Sequence, residues 1–130
     1  MIRKVLALTL LGMLLSTGAA LAHPLGNFSV NHYDGLHVYP DRVAVTSVVD
    51  IAEIPTLQEG SFDPTRECAA LTGSLRSTVD GKTLAFQVLT AGIEHPTGQG
   101  NLATTRITCS STAPVEITGM VALTSLCTAV

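Results

Sequence analysis

The residues of this 130-residue chain whose types and spacing could do chemistry are four histidines and a handful of carboxylates. A cut between Ala22 and His23 makes His23 the first residue of a mature chain. It then carries two nitrogens that close a chelate ring on a divalent metal, the α-amine and the ring nitrogen nearer the backbone. An α-amine with pKa near 8 gives its proton to a metal readily at neutral pH. Pro24 has no amide N–H to lose, so a square-planar site built from successive backbone amides is excluded and side chains must complete the sphere. His32 and His37 are the candidates. Nitrogen-rich sites of this kind suit nickel, cobalt, copper or zinc rather than calcium or magnesium. His32 also shares a strand face with Phe28 and Val30, where a packed, hydrogen-bonded histidine is the plain alternative. His95, before Pro96 in a loop, stands apart from this group. Asp50 and Glu53, in Val49-Asp50-Ile51-Ala52-Glu53, form a second candidate set, since paired carboxylates can do acid-base work or take a metal. No GxSxG, HExxH or glycine-rich phosphate loop accompanies them, so the chain reads as non-catalytic.

Export is what would create the histidine terminus. Arg3 and Lys4 give a basic start, Val5 to Leu15 is an apolar run, and Ala20-Leu21-Ala22 supplies the small residues a signal peptidase reads. The run is short of the roughly 20 apolar residues a spanning helix needs, so residues 1–22 read as a signal peptide and the mature chain as one without a transmembrane span. The expected location is periplasmic, cell-envelope or secreted. The remaining 108 residues hold five basic and ten acidic side chains, a formal charge of −5 with no basic patch for nucleic acid.

A domain of this size sits near the limit of what a hydrophobic core stabilises alone, so a staple is expected. Cys68, Cys109 and Cys127 all lie in the exported part, where thiols tend to be oxidised. Cys68 and Cys109 fall in patterned segments and Cys127 in an unpatterned tail, which pairs the first two and leaves the state of Cys127 open. Closing a loop of this length is worth roughly 3 to 4 kcal/mol by chain entropy.

The elements that must position these groups follow from periodicity and turn chemistry. Asn27 to Tyr33 alternates as a half-buried strand. Asp34-Gly35 reads as a turn, Leu36 to Tyr39 as extended, and Pro40-Asp41 as a second turn. Arg42 to Ile51 has apolar residues on both faces and reads as the central strand of an antiparallel sheet. A loop follows Ile54-Pro55. Asp63 caps a helix with Pro64 at its first position, running to about Arg76 with Cys68, Ala69, Leu71, Thr72 and Leu75 facing inward. Asp80-Gly81 makes a hairpin. Lys82 to Leu89 and Leu102 to Cys109 read as strands and Val115 to Ile117 as a short one. The expected fold is α+β: a small antiparallel sheet or sandwich-like domain over residues 23–118 with one helix and a disulfide, then a tail, 119–130, too short to span a bilayer.

The stretches His23-Pro24-Leu25-Gly26-Asn27-Phe28-Ser29-Val30-Asn31, Pro40-Asp41-Arg42-Val43 and Val49 to Glu59 resemble the exported N-terminal region of bacterial nickel/cobalt transporters of the NicO type. The resemblance extends through Glu67 to Leu71, Val79 to Lys82 and Thr105 to Cys109, so it covers about residues 23 to 109. It implies an extracytoplasmic accessory domain whose relatives continue into a membrane part that carries the permease motifs. This chain lacks that part, so translocation is not implied for it. Gly60 to Thr65 is short where relatives carry a longer acidic insertion, which removes the case for a calcium loop. The tail after Thr118 does not resemble the family, and a truncated transporter and a free-standing domain both stand. Two functions follow: a domain that binds nickel, cobalt or copper through His23, or an interaction module that docks a membrane permease or envelope protein with its histidines merely structural.

Overall fold

The computed structural model describes residues 25–125. A 3-10 turn (Leu25–Phe28) leads into β1 (Val30–Tyr39) and β2 (Arg42–Ile51). Two helices follow, α1 (Glu53–Glu59) and α2 (Pro64–Ser74). Then come β3 (Leu75–Val79), β4 (Lys82–Thr83), β5 (Gln87–Glu94), β6 (Thr105–Pro114) and β7 (Val121–Ser125). The result is a small α+β domain built mainly of antiparallel sheet.

The two-residue period of Arg42 to Ile51 places Val43, Val45, Ser47, Val49 and Ile51 on the buried face of β2, with Ala44, Thr46, Val48 and Asp50 half-buried behind them. Both edges of β2 are paired because it lies inside a four-stranded sheet of order β1-β2-β6-β5. The Pro40-Asp41 turn closes β1 onto β2 in an unbroken register from Tyr39↔Arg42 to Val30↔Ile51. Asp34-Gly35 is no turn. Both residues sit inside β1 opposite Ser47 and Thr46, and neither has the positive φ that a two-residue hairpin demands. Asp34 instead accepts from the Ser47 hydroxyl at 2.5 Å across the pair. Gly35 is buried beneath the Tyr33 ring, where a Cβ would meet the phenol oxygen at 3.0 Å.

The segment after Ala52, expected as loop, is the short helix α1, so the domain has two helices rather than one. Pro55 is tolerated because a helix's first turn has no internal partner for its N–H groups. Gly60 ends the helix at φ 74° and donates its N–H to the Thr56 carbonyl. Asp63 caps α2 as expected, accepting from the amides of Thr65 at 2.9 Å and Arg66 at 3.4 Å. The helix stops at Ser74, and Leu75 and Arg76 belong to β3. Cys68 and Thr72 face inward, whereas Ala69 is exposed, contrary to expectation. Asp80 and Gly81 take φ values of 48° and 79° and close the expected hairpin between β3 and β4.

The segment expected as one strand from Lys82 to Leu89 is shared between two sheets. Lys82–Thr83 pairs with β3, while Gln87–Glu94 pairs with β6 through a bulge between Val88 and Thr90. Strand β6 begins and ends later than the expected Leu102 to Cys109. Val115 and Ile117 form no strand but donate their amides to the carbonyls of Asp41 and Pro40. Part of the expected tail belongs to the fold: β7 (Val121–Ser125) pairs with β3, giving a second sheet of order β4-β3-β7. Cys68 and Cys109 are bonded, with Cα atoms 5.4 Å apart, inside a core of Val49, Ile51 and Ile107 against which Phe62, Leu71 and Ile93 pack. No helix among the described residues is long and apolar enough to cross a membrane.

Candidate functional site

Alternation along β1 separates the two histidines expected to complete a single sphere. His32 lies opposite Val49 on the face that carries the core, and His37 lies opposite Ala44 on the other face. They are five residues apart, about 16 Å along an extended strand. One site therefore cannot use both. His32 is half-buried with Nε2 3.0 Å from Asp34 Oδ1, which is the packed, hydrogen-bonded state of a histidine in a sheet. His95 holds Thr105 Oγ1 at 3.2 Å through Nδ1. His23 and Cys127 lie outside the described residues.

The carboxylates, by contrast, converge. Strand β2 ends at Ile51 and α1 begins at Glu53, so Asp50 and Glu53 both border one polar cavity of about 300 Å³. Asn27 and Ser29 line it from the entry turn, and Gln99 and Arg106 from the far side. Asp50 is gripped by Arg106, whose Nε reaches Oδ1 at 2.6 Å and Nη2 reaches Oδ2 at 3.0 Å. The hydrogen bonds, and then the charge of Asp50, raise the pKa of the Arg106 guanidinium above its ordinary value.

Glu53 is in a different state. It is 6% exposed, and its Oε1 accepts the backbone N–H of Gln99 at 2.6 Å. Gly98 packs directly against this carboxylate, where any Cβ would collide with Oε1 and with the Thr104 methyl. Oε2 has no hydrogen bond or ion pair among the described residues. Glu53 also borders a second cavity, of about 250 Å³, with Thr56 and His95 on its walls.

Comparison with family models, curated proteins and solved structures finds no match to this chain. Function must therefore be argued from the site. Among the described residues, Arg106 is committed to Asp50 and no cation contacts Glu53, so the described side chains lining the first cavity sum to one formal negative charge. Such a site attracts a cation. No group of three or more His, Cys, Asp or Glu side chains among the described residues is arranged to hold a metal ion. Further donors would have to come from elsewhere in the chain or from solvent. Sequence reading found Asp50 and Glu53 but missed Arg106, Gln99 and Gly98. The register that sets Arg106 opposite Asp50 spans 56 residues and leaves no local signature.

Proposed function

We propose that this chain is a non-catalytic extracytoplasmic domain, resembling the accessory region of NicO-type nickel/cobalt transporters, that binds a divalent transition metal through His23 with the Asp50–Glu53 pair as the candidate oxygen donors. The observation that supports this reading is the position of the entry turn: Asn27 and Ser29 line the same cavity as both carboxylates. His23 is four residues before Asn27, and four residues reach about 14 Å when extended. The α-amine and ring of His23 supply the nitrogens of a nickel, cobalt or copper site, and Glu53 supplies an oxygen. The buried Cys68–Cys109 bond suits an oxidising compartment outside the cytoplasm. Calorimetric titration of the domain starting at His23 with nickel and copper tests the reading: saturable binding below millimolar metal, weakened at least tenfold in His23→Ala, is expected. Binding that needs only Asp50, or no binding, rejects it.

A second reading is favoured by β1 itself. Among the described residues this edge strand has no neighbour on its outer side, its ten-residue register has no bulge, and Val30, Tyr33, Leu36, Val38 and Tyr39 are exposed along it. Such an edge can accept a strand from a permease or an envelope protein. In that reading the histidines are structural.

A further inference from the structure

The four-stranded sheet ends at β5 on the side away from β1, and the direction of its backbone groups follows from bonds just beyond the ladders. In an antiparallel sheet a residue exchanges both backbone hydrogen bonds with one neighbouring strand, and the next residue turns to the other side. The Val115 amide donates to the Asp41 carbonyl one step past the Arg42↔Pro114 pair, so odd-numbered residues of β2 and β6 bond each other. Even-numbered residues of β6 are left for β5. The Thr104 amide, which donates to the Pro96 carbonyl two steps past Glu94↔Arg106, has that same parity. Thr90, Gly92 and Glu94 therefore bond β6, and Ala91 and Ile93 turn their N–H and C=O outward. Among the described residues no strand lies on that side.

Residues 87–93 hold no charge and no proline, the side chains by which edge strands are usually kept apart. Gly92 is a second observation. Its φ is not positive, and a Cβ built on it would meet only the Thr108 carbonyl at an ordinary 3.7 Å, so its own fold does not require glycine there. A glycine inside a strand costs stability and marks a place where another backbone comes close. We infer that β5 pairs antiparallel with β5 of a second copy of this chain, about a two-fold axis through Gly92, which joins two four-stranded sheets into one. Ala91 of each copy exchanges its backbone hydrogen bonds with Ile93 of the other. A second copy suits this edge because the register closes on itself. The two Gly92 residues meet as a close pair, with Cα atoms about 4.5 Å apart, and each Glu94 lies opposite Thr90 rather than against its like. Two copies of a chain with a formal charge of −3 repel, and the uncharged stretch is where they can approach. The bulge between Val88 and Thr90 ends the pairing at one side and Pro96 at the other, so the contact is short. It falls below the roughly 1,200 Å² of a standard interface, and the expected Kd is on the order of 10 µM.

Sedimentation of the chain starting at His23, carrying Cys127→Ser to prevent unrelated cross-links, should show a mass that rises toward twice the monomer's between about 1 and 300 µM. Ala91→Pro removes only an outward N–H, so β5 keeps its bonds to β6 while the dimer weakens at least tenfold. Circular dichroism checks that this variant folds. Under mild oxidation Gly92→Cys should cross-link to itself across the axis, because a pair about 4.5 Å apart admits a disulfide. Thr90→Cys, with its two copies about 13 Å apart along the strands, should not. If Ala91→Pro does not fold, these two cysteine variants decide. A monomer over the whole concentration range, a dimer that survives in folded Ala91→Pro, or cross-linking of Thr90→Cys as fast as Gly92→Cys overturns the inference.

Discussion

Arg106 holds Asp50 with two parallel hydrogen bonds, at 2.6 and 3.0 Å, from the position directly across the β2–β6 ladder. The planar fork matches the carboxylate, and the ladder aligns them before any side chain moves. The pair divides the labour of the two acidic residues. Asp50 is neutralised at the rim, and Glu53, buried three residues later, keeps the negative charge of the cavity.

Removing the positive member should therefore strengthen cation binding. In Arg106→Gln the nickel affinity is expected to rise several-fold, because the carboxylate of Asp50 is released and a repelling charge is gone. The melting temperature should shift by only a few degrees, since both partners of the pair are nearly half exposed. Titration calorimetry and a thermal melt measure both quantities. Weaker nickel binding in this variant would count against the cavity as the metal site.

Breaking the Cys68–Cys109 bond by Cys68→Ser with Cys109→Ser should cost about 3 to 4 kcal/mol in urea unfolding, from the loop it closes. Both sulfurs are buried in the core, so the cost does not depend on a surface contact. Non-reducing peptide mapping checks the pairing itself. A bond from Cys127 to either partner would contradict it.

Gly98→Ala drives a methyl group into the Glu53 carboxylate and the Thr104 side chain. A loss of about 1 to 3 kcal/mol is expected from overpacking. Chemical denaturation measures it, and pairing the change with Glu53→Ala should recover part of the loss. A neutral Gly98→Ala would show that the 95–104 loop does not seat against α1.

The proposed chelate must compete with protons. With a free imidazole near 6.5 and an α-amine near 8, protons displace the metal as pH falls, so nickel affinity should drop steeply from about pH 8 to 5. A site made of carboxylates alone would weaken mainly below about pH 5. Titrations at four or five pH values separate the two, and a flat profile between pH 8 and 5 would exclude nitrogen donors.

Much of the fold was legible because it depends on short-range chemistry. The alternation of Arg42 to Ile51, the Asp63-Pro64 helix start and the Asp80-Gly81 hairpin each act within a few residues, and each is found where the sequence places it. Asp34-Gly35 misled for an instructive reason. The dipeptide suits a turn, but Pro40-Asp41 closes the hairpin five residues on, and ten paired positions of β1 against β2 outweigh one local preference. Helix α1 escaped notice because seven residues around a proline have little helical tendency of their own.

By itself, the sequence determined the acidic balance, the cysteine pair and the central strand, together with the residue types available for chemistry. Tertiary structure decided which of those residues meet. It set His32 and His37 on opposite faces, because successive strand positions alternate sides, and it brought Asp50, Glu53 and Arg106 to one cavity through a strand pairing that joins residues 56 positions apart. It also drew Val121–Ser125 into the sheet beside β3. Long-range pairing is fixed by which faces can be buried together, and that choice is made by the whole chain rather than by any local run of it.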